Sequence, residues 1–159
     1  MSQPPMSPML RRVLRAPVWL YRWRLGWLLG HRFLLLIHVG RRTGLPRHTV
    51  LEVMEYRPRG PEAIVASGWG RNADWLRNIE AAPHPQVIIG AQRFTASWRR
   101  LASDEAAQVI AGYERRNRLA LPIIRPVLSR LLGWHYDGSE AAHRRAAEQL
   151  PVIGFRPRP

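Results

Sequence analysis

Residues 38–78 read HVGRRTGLPRHTVLEVMEYRPRGPEAIVASGWGRNADWLRN, and this stretch decides the fold. Two β-type runs each end in a glycine-rich basic turn, and the second turn leads into a short helix carrying a tryptophan. Arg47–Arg57 alternates as a strand, with Val50, Glu52 and Met54 on one face and Leu51, Val53 and Glu55 on the other. Arg59-Gly60-Pro61 is a turn signal, so Glu62–Ser67 returns as the partner strand of a hairpin. Gly40-Arg41-Arg42-Thr43-Gly44 gathers backbone N–H groups, a hydroxyl and two guanidinium groups within five residues, a chemistry suited to phosphate. Ser67-Gly68-Trp69-Gly70-Arg71 repeats the pattern ahead of a helix over Asn72–Glu80, whose N-terminal N–H groups would face an anion. Asn72 or Asp74 is the expected cap.

Working outward, Phe33–Val39 (FLLLIHV) is a continuous apolar run and reads as a buried strand. His38 within it is expected to be a hydrogen-bonded core residue. After Pro83-His84-Pro85, Gln86–Ile89 and Arg93–Arg100 flank Gly90-Ala91 as a second hairpin. Ser103-Asp104-Glu105 opens a helix reaching about Arg116, with Ser103 as the expected N-cap and the acids in the first turn. Leu119–Leu132 is apolar and its two prolines predict a kinked or broken helix. Ser139 caps a last helix before Pro151, and Val152–Phe155 closes the chain as a strand. Segregated, mostly antiparallel strands with peripheral helices give an α+β fold, a barrel or half-barrel.

Leu10–Gly30 (LRRVLRAPVWLYRWRLGWLLG) has apolar residues at helical spacing, interleaved with Arg11, Arg12, Arg15, Arg22 and Arg24 and with Trp19, Trp23 and Trp27. Such a basic amphipathic helix either packs its stripe on the barrel or lies in the headgroup layer of an anionic membrane. The expected organisation is a tail and helix over residues 1–30 and a barrel domain over 31–159.

All 25 basic residues are arginine, against 11 acids, for a net charge of +14. That balance favours an anionic partner, although a GC-rich coding bias would produce the same composition. No helix-turn-helix, finger or aromatic strand signature accompanies the charge, so specific nucleic-acid recognition is not expected. The absence of cysteine removes disulfides, thiolate nucleophiles and cysteine-bound metals. No run reaches the ~18 apolar residues of a membrane span. No secretory signal is read at the N-terminus, and a cytoplasmic location, at the inner face of the membrane if the N-terminal helix binds lipid, is the expectation.

The six histidines are scattered at positions 31, 38, 48, 84, 135 and 143, without metal-ligand spacing. GxxxxGK[ST], GxGxxG and GxSxG are absent. The chain carries binding groups and almost no nucleophile or base of its own. An enzyme of this kind lets a cofactor do the chemistry.

LLLIHVGRRTGLPRHTVLEV, IVASGWGRNADWLRNI, the VIIGAQRFTASWRRL hairpin and SDEAAQVIAGYERR resemble the nitroreductase-family deazaflavin-dependent oxidoreductases. These belong to the split β-barrel flavin-binding superfamily common in actinobacteria. The match runs from Phe33 to Arg116, with an echo at Pro151–Phe155. The resemblance implies an FMN-binding split-barrel-like fold that binds coenzyme F420 (8-hydroxy-5-deazaflavin), with FMN as the alternative cofactor. By position, Arg41, Arg42, Thr43 and Arg47 match residues holding the phosphate and anionic tail. Thr49 and Val50 follow on the strand lining the cofactor, and Ala66, Ser67 and Gly68 match the segment along the ring system. Trp75 matches the tryptophan near the ring and Asn78 its helix partner. The loop Gly68-Trp69-Gly70-Arg71 is shorter than in better-known members, with Arg71 as a replacement for their basic residue. No tyrosine-rich substrate region is evident. The implied reaction is hydride transfer from the reduced deazaflavin to a small-molecule acceptor, a quinone, enone or nitro compound, with no catalytic residue assigned. The alternative reading is a non-catalytic, basic, membrane- or nucleic-acid-associated cofactor-binding protein. Split barrels are often dimers, so a homodimer is among the expected partners.

Overall fold

The computed structural model describes residues 30–68 and 70–159; the expected helix over Leu10–Gly30, apart from Gly30, and the residue Trp69 lie outside them. Six strands form a closed antiparallel barrel: β1 (Phe33–Val39), β2 (Pro46–Arg57), β3 (Glu62–Ala66), β4 (Gln86–Ile89), β5 (Gln92–Arg100) and β6 (Val152–Pro157). The order around the barrel is β1-β2-β3-β6-β5-β4, with β4 returning to β1. Both predicted hairpins are present, and Phe33–Val39 and Gln86–Ile89 form strands over the expected residues. Among the described residues four α-helices lie around the barrel: α1 (Asp74–Ala81), α2 (Ser103–Arg116), α3 (Leu121–Leu132) and α4 (Glu140–Gln149).

Strand alternation builds the interior. Leu34 and Leu36, Ala63 and Val65, Val87 and Ile89, and Ile153 and Phe155 all point inward, and α1 contributes Trp75, Leu76 and Ile79 to the same cluster. Every second side chain from each strand meets there, so the apolar face of α1 is fixed by the barrel core. On the outside, Ile64, Leu101 and Val152 pack against Ala106 and Val109 of α2. A third cluster gathers Ile110, Tyr136, Ala142 and Ala146, with Leu128 and Leu132 of α3 laid against it.

Three local expectations are corrected. Neither Asn72 nor Asp74 caps α1: Ala73 occupies the cap position and no side chain bonds there. Likewise Ser103 is the first helical residue of α2, behind Ala102. Ser139 does cap α4, accepting from the Ala142 amide at 3.1 Å. Finally, α3 runs unbroken through Pro126. The carbonyl that Pro126 leaves without a helical donor belongs to Pro122, and both prolines are exposed, so water can take the place of the missing bond.

Beside the apolar clusters lies an ionic one that the sequence did not announce. Glu62, buried at the start of β3, receives Arg99 at 2.7 Å, Arg156 at 3.0 Å and Arg57 at 3.2 Å. Glu105 bridges Arg57 and Arg99, each at 2.7 Å. Burial alone would raise the Glu62 carboxyl, but the hydrogen bonds from Arg99 and Arg156 outweigh it and hold the group below its ordinary value. Arg99 and then Arg57 hold Glu105 down to about 2. A Cβ at Gly154 would collide with the Glu62 carboxylate, which accounts for a glycine in the middle of β6.

Candidate functional site

The GRRTG segment folds into a turn that spends most of its backbone donors internally. The Gly40 amide donates to the Leu45 carbonyl at 2.9 Å, and the Thr43 and Gly44 amides donate to the Gly40 carbonyl at 3.1 and 2.8 Å. The Arg41 amide donates to Asn78 Oδ1 at 3.1 Å. Only the Arg42 amide keeps no protein partner among the described residues. The expectation of a nest of free N–H groups is therefore corrected, and anion recognition at this turn falls to side chains. Gly44 has φ +67°, the left-handed region that closes the turn. Gly40 has no room for a Cβ, which would lie 2.8 Å from Thr43 Oγ1 and 3.4 Å from Arg47 Nε. Thr43 thus folds back into the turn, and Arg47 lies across it.

The turn is pinned to α1 by one side chain. Asn78 Oδ1 accepts from the Arg41 amide and also from its guanidinium at 2.9 Å. With Oδ1 so occupied, Asn78 Nδ2 faces His38 Nδ1 at 3.1 Å. An amide nitrogen only donates, so Nδ1 must accept, and the His38 proton sits on Nε2, donating to Thr49 Oγ1 at 3.0 Å. His38 is neutral in this arrangement. Burial, and then the charges of His48 and Arg47, lower its pKa, in agreement with that tautomer. The sequence expectation of a hydrogen-bonded core histidine is borne out.

The three arginines of the turn therefore differ. Arg41 is committed, to Asn78 and through its other nitrogen to Asp74 at 2.9 Å. Arg42 and Arg47 are exposed, and neither guanidinium has a hydrogen bond or ion pair among the described residues. Two unneutralised guanidinium groups on a rigid hairpin end, beside His48, make a local positive field. Thr49 and Val50 follow half-buried on β2, Thr49 held by His38.

The second basic loop is pinned independently. The buried Ser67 donates its hydroxyl to the Gly70 carbonyl at 2.6 Å, the Gly70 amide returns to the Ser67 carbonyl at 2.9 Å, and the Ser67 amide donates to Pro151 at 2.8 Å. Gly70 has φ +61°. Ala66 is half-buried and Gly68 exposed; a Cβ on Gly68 would stand 3.9 Å from Leu131 of α3. Arg71 is exposed and lines a cleft of about 90 Å³ with Arg100, Ser103, Glu148 and Pro151. Trp75 lies in the barrel core, its ring tilted on Phe155 at 6.3 Å.

Asn78 and Asp74, both on α1, tie the first turn to the helix that follows the second. The sequence picked out Asn78 by resemblance alone. Its role as the clamp between Arg41 and His38 was legible only once β1 and α1 had been brought together. A separate cleft of about 450 Å³, between α2 and α4, is lined by Asp104, Gln108, Glu140, His143 and Arg144 and contains none of the sequence-predicted residues. Among the described residues no cluster of metal-binding side chains occurs, and no helix is long and apolar enough to cross a membrane.

Comparison with known proteins gives one family. A family model described as F420H(2)-dependent quinone reductase matches residues 13–118. Among curated proteins there is no significant match. A protein of unknown function from Agrobacterium tumefaciens superposes with a TM-score of 0.52 at 16% identity, over 98% of this chain and 59% of that one. A conserved hypothetical protein from Mycobacterium tuberculosis gives 0.50 at 13% identity, over 100% and 87%. At such identities the likeness concerns the fold alone. A solved F420-H2 dependent reductase aligns with a TM-score of 0.47 at 14% identity, over 80% and 96%, too loosely to argue from.

Proposed function

The chain belongs to the F420H(2)-dependent quinone reductase family, and on that premise we propose that the end of the barrel carrying the two basic loops is its coenzyme site. Membership makes the protein an oxidoreductase that uses a reduced deazaflavin on quinones; FMN, the alternative cofactor, finds no support in the comparisons. The membership does not extend to the nitroreductase designation or to nitro compounds and enones as acceptors, which stay proposals.

The observation that carries the site assignment is the pair Arg42 and Arg47: exposed guanidinium groups without a protein partner, on a turn held rigid by Arg41–Asn78. This donor set fits the phosphate and carboxylates of the coenzyme's tail, because a planar fork binds such oxygens bidentately. Thr43 bonds within the turn, and Arg41 braces it. Thr49 and Val50 border the site from β2, and Ala66, Ser67, Gly68, Gly70 and Arg71 border it as the ring-side loop. Trp75 and Asn78 support it from α1.

When bound, the reduced deazaflavin supplies a hydride from C5 to a quinone, which takes up one proton to become the hydroquinone. The chain's part is to fix the anionic tail through Arg42 and Arg47. It also holds the Ser67–Gly70 turn rigid beside the ring, so that the acceptor meets it at a set distance. The described residues put forward no side chain as the proton donor. A homodimer, a cytoplasmic location and association of Leu10–Gly30 with the inner face of an anionic membrane complete the proposal; the arginine and tryptophan content of that segment supports the last of these.

The test is a fluorescence titration with coenzyme F420. Arg42→Ala with Arg47→Ala should weaken binding, each lost charge-assisted bond costing about 1.5–3 kcal/mol. A dissociation constant unchanged in the double variant would refute the assignment.

A further inference from the structure

Helix α3 is apolar on two sides. Leu128 and Leu132 face inward onto the third core cluster, yet no residue of the helix is fully buried. Outward, Ile123, Val127 and Leu131 stand four residues apart and are 72%, 52% and 41% exposed, and Leu119, in the 3-10 turn Arg118–Ala120 ahead of the helix, is 100% exposed. Over Ile123–Leu131 that spacing makes a row down one face, roughly 12 Å long at 1.5 Å per residue. The exposed Pro122 and Pro126 widen it. Single exposed leucines need no explanation, but a contiguous row of them does.

The chemistry around the row identifies its occupant. From Arg115 to Tyr136 there is no aspartate or glutamate, and five arginines fall in that span, at 115, 116, 118, 125 and 130. Arg125 turns inward to Glu114 at 3.3 Å, and Arg116 donates to the Met54 carbonyl. Arg115, Arg118 and Arg130 are exposed with no carboxylate partner among the described residues. A second copy docked about a two-fold axis would bring two acid-free arginine rows together, an uncompensated repulsion. A partner helix needs a groove, whereas this row is the convex face of a helix, and both clefts described above are lined by other elements. A convex apolar ridge flanked by cations suits the headgroup layer of an anionic bilayer, which takes up the leucines and pairs the arginines.

We propose that the outer face of α3 docks on an anionic lipid surface and so places the Ser67–Gly70 loop at the membrane. The second half of this statement rests on the site reading above: Leu131, at one end of the row, lies against Gly68. An acceptor dissolved in the lipid would then reach the ring-side loop from the bilayer.

Full-length protein is sedimented with vesicles of phosphatidylcholine alone and of phosphatidylcholine with about a third phosphatidylglycerol. Binding is expected with the anionic vesicles only. Ile123→Glu with Val127→Glu should lower the partition coefficient about tenfold or more. Leu119→Glu, at a fully exposed position, gives a second and gentler variant with the same sign. Reduction of a long-tailed quinone embedded in the vesicles should fall in step, while reduction of a short, water-soluble quinone stays at the wild-type rate. Vesicle binding unchanged in both variants would overturn the proposal. So would a wild-type dimer that both variants dissociate, since the face would then join two copies. Titration with coenzyme F420 separates the two readings: a wild type that binds vesicles through α3 but binds no coenzyme refutes the site and leaves the lipid surface standing.

Discussion

Asn78 holds the candidate site to the barrel, and its removal has a calculable cost. Asn78→Leu keeps the volume and deletes three hydrogen bonds: two accepted from Arg41, at 3.1 and 2.9 Å, and one donated to His38 at 3.1 Å. The neutral bonds, to the Arg41 amide and the His38 ring, contribute about 1 kcal/mol each, and the charged one about 1.5–3 kcal/mol in full. Arg41 is partly exposed and keeps its pair with Asp74 at 2.9 Å, so its contribution belongs at the low end. The sum is roughly 3.5 kcal/mol, a sizeable fraction of a stability of about 5–15 kcal/mol. For a domain of this size that corresponds to a fall in Tm of about 7–14 °C, to be followed by calorimetry. The cost falls on the turn as well as the fold. With Arg41 released, the turn presenting Arg42 and Arg47 loses its anchor, and coenzyme affinity should drop although Asn78 itself need not touch the tail. Asp74→Ala is the control, because it removes only an exposed ion pair and should move stability by less than about 1 kcal/mol. If Asn78→Leu leaves Tm within a degree or two of the wild type, the clamp does not carry the load assigned to it.

Other expectations follow from the ionic cluster and from the histidine. Gly154→Ala forces a methyl group into the Glu62 carboxylate, whose Cδ would lie at 2.9 Å; displacing that buried charge from its arginines should cost about 3–5 kcal/mol, and a stable, soluble variant in urea titration would contradict the packing. Glu62 and Glu105 both titrate below their ordinary values in the fold. Their contribution is therefore complete above about pH 4.5 and is lost as pH falls toward 2, amounting for the partly exposed Glu105 to roughly 2 kcal/mol after allowance for solvent. His38, also lowered, acts with the same sign at higher pH: the unfolded chain protonates first, so stability begins to fall below about pH 6.5. Urea midpoints at neutral, mildly acidic and strongly acidic pH should decline in two stages, and His38→Gln should remove the first. A single stage in the wild type would refute the neutral assignment of His38.

How much of this was legible in the sequence depends on what kind of interaction fixed each feature. Phe33–Val39, Gln86–Ile89 and Ser103–Arg116 form elements over the expected residues because apolar periodicity and turn residues act locally. The Ser67 and Gly70 turn was marked by its residue types. Barrel closure was expected as a class, whereas the order β3-β6-β5 is set by pairings up to some ninety positions apart, which no window reads. The burial of Glu62 was hidden for the same reason: its three arginines come from β2, β5 and β6. Arg41 matched a ligand motif, yet its guanidinium is spent on Asn78 and Asp74, since identity at a motif position does not say which atoms remain free. The unused caps at Asn72, Asp74 and Ser103 and the unbroken α3 have a shared cause: exposed helix ends and an exposed proline can exchange protein partners for water.

The central claim is that the two basic loops form a deazaflavin site. It is tested most directly by titrating the wild-type protein with coenzyme F420 and, in parallel, with FMN, then adding quinone to the reduced coenzyme complex. Saturable binding of F420 well ahead of FMN, weakened by Arg42→Ala with Arg47→Ala and followed by quinone-dependent reoxidation, is the predicted result. Equal binding of F420 by the wild type and the double variant, or a preference for FMN, would contradict it.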